Sequence, residues 1–188
     1  MLQFSDKEIR KAVNIVCDEF NRKNIKQNVY IIIVGAASLI LRFNLKRTTS
    51  DIDILETISA NHSIFGGLGQ LLSRMGFHIV SEVMMNLHSD YPKRLEHYEQ
   101  KEQVHVLTLH PYDLAISKIG RGFGKDMEDI VNSDLLSHID IGKLEVLYFE
   151  AVNYWIGDER KYETSWNLFS EDYARKRTSD RSESEVSG

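Results

Sequence analysis

A chain of 188 residues is long enough for one domain with a helical extension, and 42% hydrophobic residues are enough to build a folded core. The formal charge of −5 excludes the strongly basic composition of a dedicated nucleic-acid binder, although it leaves room for a local basic groove. One cysteine, Cys17, excludes an internal disulfide framework, so we expect a buried thiol and a cytoplasmic protein. No apolar run is long enough to span a membrane, so we expect no membrane partner.

The first part of the chain predicts helices alternating with strands. Ser5 and Glu8 have the spacing of a capping box, and apolar residues follow at helical intervals up to Phe20. A β-branched run over 30–34 is typical of a strand that is buried on both faces. The predicted elements are a helix over 5–20, a strand over 30–34, a helix over 36–43, a polar turn over 44–50 and a strand over 51–55.

The rest of the chain changes from mixed to helical signals. Up to residue 109 we predict a helix over 64–75, a strand over 77–83, an edge strand within 91–99 and a strand over 104–109. Beyond Pro111 we predict helices over 112–119, 125–131, 141–156 and 159–173. We therefore divide the chain into an α/β core over 1–110, a helical part over 111–175 that closes a cleft, and a disordered, charged tail over 176–188.

One segment combines features that suit phosphate and metal chemistry. Gly35 allows a ligand to approach the backbone, and the helix start that follows it offers unpaired N–H groups to a phosphate, with Ser38 as a further donor. Asp51 and Asp53 lie two residues apart on the next strand, so their side chains project from the same face. Such a carboxylate pair suits Mg²⁺ (or Mn²⁺) bound together with substrate phosphates. An Asp-x-Asp motif alone is more often a solvated pair, and here its context supports the functional interpretation.

These motifs resemble those of a known superfamily. Gly35-Ala36-Ala37-Ser38 followed by Asp51-Ile52-Asp53 is similar to the signature of the DNA polymerase β-like nucleotidyltransferases. A later stretch resembles the narrower group of AbiEii-type and MenT-type toxin nucleotidyltransferases and related uncharacterised bacterial proteins. That stretch is Asp113-Leu114-Ala115-Ile116-Ser117-Lys118, then Arg121, then Lys125-Asp126-Met127-Glu128-Asp129-Ile130. The resemblance covers roughly residues 28–135.

The resemblance implies a role for each matching residue. Ser38, with Gly35 and Ala36, would bind the triphosphate of an NTP, and Asp51 and Asp53 would hold the metal. Lys118 matches a family lysine that contacts nucleotide phosphates, which is also a natural use of a lysine. A further set would contribute catalysis, phosphate contacts or support: Asp126, Arg121, Lys125 and Asp129. Lys125 and Asp129 could equally form only a surface ion pair.

One departure from the superfamily pattern bears on catalysis. Polymerase-type members carry a third carboxylate on a later strand, but the predicted strand over 104–109 offers His105 and Thr108 and no acid. Asp126 could supply the base from a helix, the base could lie elsewhere, or the protein could be catalytically impaired. His105 could be that base, although a sheet histidine without a catalytic role is the more common case.

Three other features leave alternatives open. The segment from Gly120 to Gly124 joins two helices rather than leaving a strand, so we interpret it as a flexible link or hinge and not as a phosphate loop. Three cations after the phosphate turn could guide a nucleic-acid acceptor or could be a solvated helix end: Arg42, Lys46 and Arg47. Five aromatic residues at helical spacing could stack on bases but more often form core: Tyr148, Tyr154, Trp155, Tyr162 and Trp166.

The sequence thus predicts an α/β nucleotidyltransferase fold, with a small mixed sheet flanked by helices and a helical C-terminal half. The resemblance implies Mg²⁺-dependent transfer of a nucleotide from an NTP to an acceptor hydroxyl. It further implies RNA such as tRNA as the acceptor, a toxin–antitoxin or phage-defence setting and a cognate antitoxin protein as partner. The alternatives are a catalytically weak nucleotide-binding or interaction module of the same fold, and a metal-dependent phosphoesterase.

Overall fold

A five-stranded mixed sheet lies at the centre of the protein. The computed structural model describes residues 3–23, 26–56, 69–122 and 124–186, and within them the strands are β1 (Val29–Ile33), β2 (Ile52–Glu56), β3 (Phe77–Ser81), β4 (Glu96–Lys101) and β5 (Val104–Thr108). The spatial order is β3-β2-β1-β5-β4. β1 pairs with β5 in parallel and with β2 in antiparallel orientation, which makes the sheet mixed as the sequence predicted.

Helices flank this sheet and form most of the chain after it. In the described ranges they are α1 (Asp6–Arg22), α2 (Gly35–Arg42), α3 (Gly69–Arg74), α4 (Pro111–Arg121), α5 (Gly124–Val131), α6 (Ile141–Ala151) and α7 (Glu159–Val186). The predicted capping box is confirmed, since the Ser5 backbone N–H donates to the Glu8 carboxylate at 2.9 Å. Cys17 faces the core, as predicted. No helix within the described ranges combines the length and the apolar character needed to cross a bilayer.

The antiparallel pairing of β1 and β2 determines where a site can form. β1 ends where α2 begins, and β2 begins just after Asp51, so these two ends lie side by side. The Val34 N–H donates to the Asp53 carbonyl at 3.0 Å, which ties the residue before Gly35 to the carboxylate strand. The alternation along β2 buries Ile52 and Ile54 in the core and leaves the aspartates on the other face.

Several predicted boundaries differ from the observed ones. The predicted strand over 77–83 ends at Ser81, and the region over 91–99 divides into a 3₁₀ turn at Tyr91–Arg94 and the strand β4. The predicted helix over 141–156 ends at Ala151 and continues as a short 3₁₀ turn. The start of the predicted helix over 64–75 lies outside the described residues. These shifts are local, because tertiary contacts end an element where periodicity alone does not.

The C-terminal tail differs more substantially. We predicted disorder over 176–188, but the backbone of α7 is helical through Val186. No glycine or proline occurs between Asp158 and Ser187, so nothing in the chain interrupts the helix. Low apolar content does not exclude continuation of a helix that has already begun. The proposed division of the chain at residue 110 stays a prediction.

Two glycines of the segment that we predicted to be a flexible link, Gly120 and Gly122, lie at packing contacts, while the flexibility of the junction between α4 and α5 stays a prediction. Gly120 lies inside α4, where a Cβ atom would come within 3.0 Å of the Tyr162 ring. Gly122 ends α4 with a φ of +67°, and a Cβ there would lie 2.5 Å from the Ser165 Oγ. These glycines therefore let α7 pack closely against α4.

Most of the aromatic residues that we singled out belong to the core. The rings of Tyr148 and Tyr162 stack with centroids 3.9 Å apart, and each hydroxyl donates to the other residue's backbone carbonyl at 2.8 Å. Trp166 packs against Tyr148 and is also buried. These three residues hold α6 against α7 and are not available to stack on bases. Tyr154, by contrast, is exposed.

Candidate functional site

A cleft of about 330 Å³ lies between the neighbouring ends of β1 and β2 and the helices α4 and α5. One wall comes from the α/β core: Ala36, Arg47, Thr49, Ser50, Asp51 and Asp53. The other wall comes from the helical half: Lys118, Arg121, Lys125, Asp126 and Asp129. Chain segments some 70 residues apart thus meet in one cleft, and most of the residues predicted to act together line it.

The carboxylate pair of this cleft has no cationic partner. Asp51 accepts hydrogen bonds from the hydroxyls of Thr49 at 3.3 Å and Ser50 at 3.0 Å, which orient it. Burial raises the pKa of Asp53, and the charge of Asp51 raises it further, while nearby cations offset only part of the shift. Among the residues that the structure describes, none forms an ion pair with either aspartate. The pair is therefore an uncompensated concentration of negative charge.

Gly35 brings the start of α2 against this pair. Its φ is +66°, and a Cβ atom at this position would lie 2.9 Å from Asp53 Oδ2. Glycine is required here both for the backbone conformation and for the close approach. The N-cap residue Val34 offers no side-chain cap, so the first amides of α2 remain available to an anion. Ala36, in the first turn, lines the cleft.

Lys118 is the centre of a buried ionic network on the opposite wall. Its side chain is 1% exposed, and its ammonium lies 2.8 Å from Asp126 Oδ1 and 2.8 Å from Asp129 Oδ2. Arg121 donates to Asp126 Oδ1 at 2.7 Å. Arg47 donates to both oxygens of Asp129, at 2.5 and 2.6 Å. This bidentate contact joins the turn before β2 to α5 across the cleft.

Most cations of the cleft are paired with acids other than Asp51 and Asp53. Burial alone would raise the pKa of Asp129, but the hydrogen bond from Arg47 and the charge of Lys118 outweigh it, so the pKa is lowered. Asp129 is thus held as a carboxylate between two cations. Arg47, Lys118 and Arg121 all contact acids of α5 and none contacts Asp51 or Asp53. Three cations share two acids there, so this network keeps a net positive charge and faces the anionic aspartate pair.

Ser38 lies outside the lining of the cleft. It is fully buried, it does not line the cleft, and its hydroxyl has no hydrogen-bond partner among the described residues. Two residues along an α-helix correspond to about 200° of rotation. Ala36 therefore faces the cleft while Ser38 points away from it. Ser38 is buried behind the lining of the cleft, and the contact with phosphate that the resemblance implied stays a prediction.

Lys125 and Asp129 do not form the surface ion pair that we kept as an alternative. Asp129 is 2% exposed and contacts Arg47 and Lys118 instead. Lys125 is exposed at the mouth of the cleft and makes no ion pair with any residue in the described ranges. It is therefore a cation that remains free for an incoming anion.

The structure also locates the candidates for the missing third carboxylate. His105 lies opposite Tyr30 in the register of β1 and β5 and stacks on its ring at 5.0 Å, three residues away from the cleft end of the strand. Thr108, at the cleft end, is fully buried. Asp126 is the residue that reaches the cleft, from α5 rather than from a strand. Both cations contact its Oδ1, which leaves Oδ2 without a partner among the described side chains.

The donor set fits a hard divalent cation that is completed by substrate. No cluster of three or more His, Cys, Asp or Glu side chains suited to a metal occurs among the described residues. Two adjacent carboxylates, one with a pKa raised by burial and by its neighbour, nevertheless favour a bound cation. Mg²⁺ is commonly held by one or two carboxylates together with water and substrate phosphates. The pair therefore matches a site that binds metal with a phosphorylated substrate.

Three residues of the cleft did not follow from the motif. Arg47 was considered only as a possible guide for nucleic acid, and its partner Asp129 lies 82 residues away, so no local pattern predicts the contact. Thr49 and Ser50 were assigned to a polar turn, but their hydroxyls hold Asp51. Their position immediately before the Asp-x-Asp motif was the available signal.

Comparison with known proteins agrees with this geometry. The model of a family described as "Nucleotidyltransferase of unknown function (DUF6036)" matches residues 11–177, which is most of the chain. Neither the comparison with curated proteins nor that with solved structures gave a match. The match spans the sheet, both walls of the cleft and the helices behind it. The chain therefore belongs to this nucleotidyltransferase family.

Proposed function

We propose that the protein transfers a nucleotide from an NTP to an acceptor hydroxyl, with Mg²⁺ or Mn²⁺ held by Asp51 and Asp53. The observation that carries this proposal is the uncompensated aspartate pair placed against the open start of α2. A phosphate at the α2 amides would lie beside a cation on the aspartates, so one triphosphate satisfies both features. Membership of a nucleotidyltransferase family supports the same reaction class.

The proposed reaction balances without any other reactant. The acceptor oxygen attacks the α-phosphorus of the NTP, a new P–O bond forms, and the bond to the β-phosphate breaks to release pyrophosphate. Asp51 and Asp53 would hold the metal, which when bound would supply positive charge to the phosphates and alignment of the attacking oxygen. Arg121, which is partly exposed beside the cleft, and Lys125 contribute positive charge to the triphosphate.

Asp126 is our candidate for the group that accepts the proton of the acceptor hydroxyl. Lys118 and Arg121 fix its Oδ1, while Oδ2 has no partner among the described side chains and belongs to a residue that lines the cleft. A base must lie within hydrogen-bonding reach of the hydroxyl that it deprotonates. In this proposal Lys118 is a positioning residue, because its ammonium contacts two carboxylates rather than the open cleft.

The proposed acceptor is RNA such as tRNA, and the proposed setting is toxin–antitoxin or phage defence with a cognate antitoxin protein. These finer statements rest on the resemblance of Lys118, Arg121 and the Lys125–Ile130 stretch to the toxin group. The placement of that stretch along one wall of the cleft supports a common role for its residues.

The test is incubation of the protein with each α-labelled NTP, Mg²⁺ and total RNA. We expect label in RNA with the native protein and none with Asp53→Asn, which keeps the size of the side chain but removes its charge. Asp134→Asn is the matched control, since Asp134 is exposed and remote from the cleft. Activity that survives in both Asp51→Asn and Asp53→Asn contradicts the assignment of the site.

A second candidate is a nucleotide-binding module without turnover. It is favoured by the absence of an acid from β5 and by the two cations that contact Asp126. Binding of NTP and Mg²⁺ without incorporation into any RNA indicates this module. Release of phosphate, or cleavage of the RNA, indicates instead a metal-dependent phosphoesterase.

A further inference from the structure

The cleft opens into a groove that the proposed reaction does not use. A cavity of about 580 Å³ shares Arg47, Lys125 and Asp129 with the cleft, and a further cavity of about 510 Å³ shares Leu45, Lys46 and Arg47 with that one. The two cavities therefore adjoin the cleft and each other along the turn between α2 and β2, and the second reaches the start of α1. We call these two adjoining cavities the acceptor groove.

The acceptor groove is basic in a protein that is acidic overall. Its lining includes five basic residues, Arg10, Arg42, Lys46, Arg47 and Lys125, against three acidic ones, Asp6, Glu128 and Asp129. The whole chain has a formal charge of −5. This local excess of positive charge lies directly beside the site of proposed phosphate chemistry, where it would attract a polyanion.

Two of these cations are free to bind a ligand. Arg10 pairs with Asp6 at 2.9 Å, Arg42 pairs with Glu96, and Arg47 pairs with Asp129. Lys46 and Lys125 are exposed and form no ion pair with any residue that the structure describes. Both line the larger cavity together with Arg47, one from the turn after α2 and one from α5. Two free ammonium groups facing one groove suit a chain of repeated anions.

The lining also indicates which part of a ligand is contacted. Across the described residues, neither cavity is lined by an aromatic side chain. Base stacking on aromatic rings is the usual way in which single-stranded nucleic acid is held by its bases. Contacts in this groove therefore fall on the backbone, and binding should depend little on base sequence.

We propose that the acceptor groove binds the phosphodiester backbone of a single-stranded polynucleotide and delivers its terminal hydroxyl to Asp51 and Asp53. This inference rests on the proposed function and adds where the acceptor lies. The cleft, at about 330 Å³, is at the small end of ligand pockets, so the end of the acceptor has to enter it unpaired. A polynucleotide supplies a hydroxyl at the end of a chain of regularly repeated anions, whereas an acidic peptide supplies a hydroxyl only where it contains Ser, Thr or Tyr.

The test measures binding of a fluorescent single-stranded oligoribonucleotide of mixed sequence by anisotropy at several salt concentrations. Lys46→Glu should weaken binding about tenfold at low salt and lower the slope of log K against log salt by about 0.7, the contribution of one phosphate contact. Lys46→Glu/Lys125→Ala should lower that slope by about 1.4. Lys26→Glu is the matched control, because Lys26 is exposed, outside all three cavities and without an ion pair to any described residue.

The outcomes separate this inference from the proposed function. The thermal shift that NTP with Mg²⁺ produces should be the same in Lys46→Glu as in the native protein, because Lys46 does not line the cleft. Equal weakening in Lys46→Glu and Lys26→Glu overturns the inference. So does a native protein that binds NTP but no oligonucleotide, or that binds polyglutamate more tightly. Absence of NTP binding in the native protein, with Lys46-dependent oligonucleotide binding intact, contradicts the proposed function alone.

Discussion

Replacing Asp53 by asparagine tests the electrostatic basis of the site. Residues two apart on a strand lie about 6.6 Å apart, and unit charges at this separation repel by about 0.6 kcal/mol in water and about 2.5 kcal/mol at an effective dielectric constant of about 20. Burial adds to this cost, as the raised pKa of Asp53 shows. Without metal, Asp53→Asn should therefore stabilise the protein at neutral pH by about 1 kcal/mol, which raises Tm by about 2 to 4 °C.

Addition of Mg²⁺ with NTP should make the native protein more stable than Asp53→Asn. A ligand present at about 100 times its Kd stabilises the native state by about 2.7 kcal/mol, or about 5 to 11 °C in Tm for a domain of this size. We expect Mg²⁺ with NTP to produce this shift in the native protein and in Asp134→Asn, and to produce little or none in Asp53→Asn. Differential scanning fluorimetry with and without Mg²⁺ measures both effects.

Two results would refute this reasoning. If metal-free Asp53→Asn is less stable than the native protein, Asp53 is held by favourable contacts and the pair is not an uncompensated charge. If Mg²⁺ shifts the Tm of Asp53→Asn as much as that of the native protein, the metal binds elsewhere. Asp134→Asn controls for the general effect on Tm of removing one negative charge.

Three further predictions follow from the same contacts. Gly35→Ala should destabilise the protein by about 1 to 2 kcal/mol in urea unfolding, because of its φ of +66°, and should weaken NTP binding through the clash with Asp53. Lys118→Met should cost about 3 kcal/mol by leaving two buried carboxylates short of a cation, whereas Lys125→Met should change stability by less than about 0.5 kcal/mol. The pKa of Asp53 is higher in the folded state than in the unfolded state. Its contribution to the free energy of unfolding of the metal-free protein is therefore most favourable below its unfolded-state pKa and is lost as pH rises through its folded-state pKa. Urea unfolding across that range should show this decline in the native protein and not in Asp53→Asn.

Local patterns in the sequence predicted the elements that form one wall of the cleft. The β-branched run became β1, Gly35 takes a positive φ, and Asp51 and Asp53 lie together at the start of β2. Each of these features depends on residues within about 20 positions of one another, and strand and helix periodicity act over that range. The mixed sheet flanked by helices and membership of a nucleotidyltransferase family were also predicted correctly, and these predictions rested on the resemblance of the motifs.

For the opposite wall of the cleft, the sequence predicted which residues take part but not how they contact one another. Resemblance placed Lys118, Asp126 and Asp129 at the site, yet only the fold shows that Lys118 is buried between the two acids. It also shows that Arg47 joins Asp129 across 82 residues. Ion pairs between residues far apart in the chain produce no periodic pattern in the sequence, because any basic and any acidic residue can come into contact once the chain has folded.

The sequence by itself therefore determined the aspartate pair, its strand and the glycine that precedes it. The tertiary structure decided that no described residue forms an ion pair with either aspartate, that Ser38 is buried outside the lining of the cleft, and that Gly120 and Gly122 lie at packing contacts with α7. The physical reason is that periodicity and turn chemistry act between neighbours in the chain. Compensation of charge, burial and close packing depend on the elements that meet only after the sheet and the helices have come together.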